Sequence, residues 1–262
     1  MLARFMNPLT LLTVILLVNL TACQKSGHQE REFEISEAQP ATALTIGWYL
    51  PVRLLDELVG ENYTPRVIKE DSMGSIMLFI VKSEGHSLSG DKKGPMKAAY
   101  LVVPIDLPEG IKTPDGSGFQ EAMSLPMTII DLSESLGDRF ADLGFATYSG
   151  QIELNVEMPV SKYVAEASVR TANGLIQIRG MFDDAGEEME FSPAMFSNKT
   201  NTESYFYGEE KCTRYIDGKG SLKTDGSNII DAMQLGDWPF FLRLDRNLSW
   251  SFDFSGDTQA NR

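Results

Sequence analysis

Few side chains in this chain are suited to nucleophilic or metal chemistry. The sequence holds two histidines, His28 and His86, and two cysteines, Cys23 and Cys212. A zinc site or a histidine-based triad needs more convergent imidazole than that. No glycine-rich phosphate loop is present. The run Asp183-Asp184-Ala185-Gly186-Glu187-Glu188, with Glu190, gathers the oxygen ligands that calcium prefers. It lacks the spacing of an EF-hand and reads better as a solvated hairpin tip, so neither a metal nor a cofactor is expected. Trp238, Phe240, Phe241 and Trp250 form an aromatic group that packs as core or lines a pocket. Trp238, Phe240 and Trp250 are the candidate pocket residues.

The N-terminus carries a different chemistry. Met1-Leu2-Ala3-Arg4 brings a positive charge, and Leu9 to Leu20 is an apolar run interrupted by Thr10, Thr13 and Asn19. A spanning helix needs about 20 apolar residues, so this shorter run reads as an export signal. Leu20-Thr21-Ala22-Cys23 resembles the lipobox of bacterial lipoproteins. That resemblance implies cleavage before Cys23 and a diacylglyceryl thioether on its sulfur. Several acyl chains would give stable anchoring, at ~0.8 kcal/mol for each buried methylene. In enterobacteria an aspartate directly after the cysteine holds such a protein at the inner membrane. Gln24 stands there instead, which implies an outer-membrane lipoprotein with its soluble domain in the periplasm.

Composition bounds the rest. There are 37 acidic against 23 basic residues, a net charge of −14. That balance argues against nucleic acid and anionic headgroups as partners. With Cys23 lipidated, only Cys212 remains, which rules out an intramolecular disulfide and suggests a buried thiol.

Polar residues 24–42 read as a tether, and residues 43–262 as a single β-rich domain. Leu44 to Tyr49 has strand character. After Pro51, Leu54, Leu55, Leu58 and Val59 share a helical face, and Gly60 ends it. Further strands are expected over 66–69, 75–81, 96–103 (ended by Pro104), 151–156, 163–170 and 175–179. Others fall over 187–191, 203–207, 240–244 and 248–254. The last of these alternates Leu248, Trp250, Phe252 and Phe254 with polar residues, the period of a half-buried strand. A second helix is expected over 134–143, closed by Gly144. Asn173-Gly174 and Asp184-Ala185-Gly186 read as hairpin turns. The fold class is α+β: a mainly antiparallel sheet or closed barrel with two short helices.

Three stretches add a second resemblance. Pro51 to Pro65, Gly94-Pro95-Met96, and Pro159-Val160-Ser161-Lys162-Tyr163-Val164-Ala165-Glu166 resemble motifs of the acetoacetate decarboxylase-like superfamily. The resemblance implies a fold with a central cavity and a lysine that forms a Schiff base with a β-keto acid. Such a lysine must be neutral, through burial and a neighbouring cation. Lys162 is the position it falls on. Ser161 and Tyr163 flank it in place of a second lysine, and the family's acidic residue would fall at Lys97 or Ala98. Two functions follow. The first is a lipid-anchored, non-enzymatic domain that binds a small or apolar ligand or an envelope partner, which the sequence does not separate from a purely structural envelope component. The alternative is a decarboxylase-like Schiff-base enzyme using Lys162.

Overall fold

The computed structural model describes residues 34–37, 40–59, 61–68, 72–88, 91–109, 121–131, 140–141, 144–197, 205–226 and 228–255. Chain order begins β1 (Glu34–Glu37), β2 (Ala41–Pro51), helix α1 (Val52–Val59), β3 (Met73–Ser83), β4 (His86–Leu88), β5 (Asp91–Lys93), β6 (Met96–Ile105) and β7 (Glu121–Asp131). It continues with β8 (Thr147–Glu157), β9 (Lys162–Thr171), β10 (Gly174–Asp183), β11 (Glu187–Phe191), β12 (Pro193–Ser197), β13 (Tyr205–Tyr215) and β14 (Lys219–Gly226). The one-turn helix α2 (Ile229–Ala232) and the long strand β15 (Phe240–Ser255) follow. The fold is α+β and sheet-rich.

The hydrogen-bonded path through β2, β3, β6, β7, β12, β13 and β15 returns to β2 and forms a ring. Most pairings are antiparallel; β12 joins β7 in parallel, as β8 does. From β8 an antiparallel sheet continues through β9 and β10 to β14.

Strand periodicity gives this ring two apolar faces. On β3, Ile76, Leu78 and Ile80 join a large core with Trp48 of β2, Leu55 and Val59 of α1, and Ile176 and Ile178 of β10. That core lies between the outside of the ring and the second sheet. Val81, with Phe79 beside it, belongs to a separate cluster with Met96, Phe140, Phe206 and Trp250. Strands buried on both faces read as continuous apolar runs, and residues 75–81 do so for this reason.

Several expectations need correction. Residues 66–68 are not a strand: Arg66 N–H bonds Pro104 O and Ile68 N–H bonds Met73 O, outside any ladder. Pro104 does not end β6, which runs on to Ile105. Pairing with β3 stops at Val102, so proline costs the ladder no donor. The turn at 184–186 is no hairpin, because β10 pairs with β9 and β14 while β11 pairs with β13. The segments 240–244 and 248–254 are one strand carrying a bulge. Residues 34–37 lie inside the expected tether yet pair with β15 and β4. The second helix falls mostly outside the described residues; Phe140 and Ala141 are helical, and Gly144 takes the expected left-handed conformation. Gly60 is also outside them. Among the described residues no helix is long and apolar enough to cross a membrane.

Candidate functional site: the cavity within the ring

The inner faces of the ring strands enclose a cavity of about 100 Å³. A water molecule needs only ~10–15 Å³ of such volume, so a small organic molecule can enter. Four methionines, Met77, Met96, Met123 and Met195, contribute to the wall. Aromatic rings add to it: Phe79, Tyr100, Phe140, Phe191, Phe206 and Trp250. Methionine is unbranched and polarizable, so such a wall adapts to different apolar shapes.

Charge enters from β13, β15 and the start of β7. Glu210 and Arg214 of β13, Arg243 of β15 and Glu121 of β7 line the cavity. Behind the arginines stands Asp245, whose side chain is 1% exposed. Its Oδ1 accepts a hydrogen bond from Arg214 Nε at 2.7 Å, and its Oδ2 lies 2.9 Å from Arg243 Nε. The second contact is an ion pair without hydrogen-bond alignment, so Arg243 Nε is otherwise unsatisfied. One carboxylate thus bridges two guanidinia. Arg214 also lies 5.0 Å over the Phe191 ring and Arg243 5.6 Å over the Phe79 ring, within cation–π range.

A bulge in β15 between Asp245 and Leu248 sets this arrangement. Arg243 and Asp245 face inward at odd positions, whereas Leu248 and Trp250 do so at even ones. The extra residue resets the parity, and Asn247 takes a positive φ of 46 there. The same register shift appears against β13.

Burial governs the titration of the neighbouring groups. Glu210 is pushed up to about 8 by desolvation and then by the Asp245 carboxylate, against the pull of Arg243 and Arg214. The Cys212 thiol, 3.7 Å from Asp245 Oδ1, is pushed up to about 12 by burial and by that carboxylate. It remains a thiol and is no nucleophile. Burial, and then Glu210, also raises the Tyr100 phenol.

The structure divides the residues picked out from sequence. Trp250 lines the cavity. Trp238 and Phe240 pack against the outer core instead. Lys162 begins β9 and is not among the cavity residues. Its side chain is 60% exposed, with Nζ 2.7 Å from Asp183 Oδ1, an ion pair that holds the Asp183 carboxyl below its usual range. That position does not offer the burial a Schiff-base lysine requires. No lysine lines the cavity among the described residues. Asp183, Glu187, Glu188 and Glu190 form no metal cluster among those residues, and Cys23 lies outside them. Sequence reasoning missed Arg214, Arg243, Asp245 and Glu210. Their signal is charge at alternate positions of apolar strands, as in Leu242-Arg243-Leu244-Asp245, which puts the charges on one face.

Solved structures of the acetoacetate decarboxylase-like kind share this fold. An acetoacetate decarboxylase-like enzyme from Sphingomonas wittichii RW1 is 12% identical with a TM-score of 0.52, covering 86% of this chain and 91% of its own. The acetoacetate decarboxylase of Legionella pneumophila is 9% identical with a TM-score of 0.52, covering 84% of both chains. The enduracididine biosynthesis enzyme MppR, with HEPES buffer bound, is 10% identical with a TM-score of 0.51, covering 88% of this chain and 90% of its own. No family model matches the chain, and no curated protein does. The likeness is one of fold.

Proposed function

We propose that the ring cavity binds a small organic acid, its carboxylate against Arg243 and Arg214 and its apolar body among the methionines and aromatic rings. The observation that carries this reading is the carboxylate shared by two arginines at the end of an apolar cavity. With Glu210 protonated, Arg214, Arg243 and Asp245 leave one surplus positive charge in a poorly solvated place. A guanidinium has five donors, and both nearest approaches to Asp245 are through Nε, so donors remain for a second carboxylate. The domain would be held at the outer membrane, facing the periplasm, by lipid on Cys23. Mass spectrometry of the mature N-terminus tests that part: an unmodified cysteine would refute it.

Octanoate, titrated while Trp250 fluorescence is followed, tests the cavity. Charge-assisted hydrogen bonds contribute about 1.5–3 kcal/mol, so Arg243→Met should weaken binding about 10- to 100-fold. Octanamide should bind weakly to the unaltered protein. Equal affinity for octanoate and octanamide would remove the arginines from the reading.

A second reading is catalysis, favoured by the fold shared with decarboxylase-like enzymes. A Schiff base on Lys162 would require that side chain to leave Asp183 and become buried. Borohydride trapping with acetoacetate tests it, and absence of a labelled Lys162 peptide would end it.

A further inference from the structure

We propose that the cavity takes up a proton together with its anion, with Glu210 as the group that receives the proton, so that rising pH expels the ligand. The inference rests on the organic-acid reading above and adds its control.

Two cations and two carboxyl groups meet at one cavity. Asp245 is committed to both guanidinia, one at each oxygen. The Glu210 side chain also lines the cavity, yet it makes no hydrogen bond or ion pair among the described residues. The groups around it come from four strands: Cys212 and Arg214 on its own strand, Arg243 and Asp245 on β15, Glu121 on β7 and Tyr100 on β6. β3 and β12 supply only apolar walls, Met77, Phe79 and Met195. Cys212 and Tyr100 are both held in their neutral forms, and Glu121 is exposed at the rim. When Glu210 is ionised, its charge and that of Asp245 cancel the two arginines, and an arriving carboxylate has no surplus cation to meet. Once Glu210 is protonated, one positive charge is free. Burial already favours that protonated form. An entering anion favours it further, and by linkage the proton favours the anion.

Calorimetry with octanoate tests this, run at pH 9 in two buffers of different ionisation enthalpy and repeated from pH 6 to 9.5. Uptake should approach one proton for each octanoate at pH 9, with affinity falling up to about tenfold per pH unit above 8. Glu210→Gln, a neutral mimic of the protonated acid, should bind without proton uptake and with level affinity across the range. In the ligand-free protein, a ¹³C carboxyl resonance absent from Glu210→Gln should titrate well above the ordinary glutamate range. Octanoate binding with constant affinity and no proton uptake overturns this inference and leaves the cavity reading intact. Glu210→Gln that keeps the original pH dependence, or a Glu210 resonance that titrates below pH 6, does the same. Failure of octanoate to bind at any pH overturns both.

Discussion

Asp245 is the residue on which the interior charges depend. Two guanidinia in an apolar ring are tolerable because one carboxylate serves both. Removing one partner of a buried ion pair costs about 3–5 kcal/mol, because the charge left behind stays desolvated. Asp245→Asn should therefore lower the unfolding free energy by about 3 kcal/mol or more in urea melts, whereas removing the exposed Lys162–Asp183 pair with Lys162→Ala should leave the urea midpoint nearly unchanged. Glu210 gives a pH dependence of definite sign. Its carboxyl is raised in the native state from 4.5 to about 8, so the folded protein holds a proton that the unfolded chain releases within that window. Stability should fall as pH rises from about 4.5 to about 8 and then level off. Glu210→Gln should remove that slope, and urea midpoints at several pH values will show whether it does. Cys212, buried and held as a thiol, should react with a disulfide reagent only as fast as the protein unfolds.

At the scale of elements, turns and bulges hold the strands in register. Gly174 begins β10 with φ 133, and a Cβ there would sit 2.0 Å from the Asp225 carbonyl oxygen of β14. Gly174→Ala combines backbone strain with a clash against a paired strand. It should cost about 1–3 kcal/mol, visible as a lowered melting temperature. This turn was legible because Asn-Gly signals a hairpin without any tertiary context. The strands with alternating residues, β9, β10 and β11, were legible as well. β7 was not: Pro126 and the mixed run Glu121-Ala122-Met123-Ser124 show no clean period, and the strand exists because β6, β8 and β12 pair with it. The site was half legible. Trp250 stands out as a large aromatic on an alternating strand. Arg214, Arg243 and Asp245 do not, because their partnership runs between β13 and β15, and a one-residue bulge decides which of them face inward. Motif likeness points to Lys162, but at the start of β9 its side chain lies in solvent.

At the scale of the whole molecule, the ring separates two apolar interiors. Trp48 is fully buried in the outer one, and Trp250 stands on the cavity wall. Trp48→Ala should destabilise by about 3–5 kcal/mol with the cavity site retained. Trp250→Ala should cost less stability and remove the fluorescence response to octanoate, which comparison of the two variants by denaturation and titration will reveal. The ring's closure also bears on how the chain acquires its shape. β2 finds its partner β15 only across most of the sequence, Trp48 opposite Phe240, and β12 meets β7 along five residues. Contacts so distant along the chain demand loop closure before any stabilisation arrives. A nascent polypeptide would hold its first long strand half-matched, an aggregation-prone edge, until nearly the last segment had been synthesised. Its refolding after dilution from urea should be correspondingly slow, with amides at the β2–β15 seam acquiring hydrogen-exchange protection last.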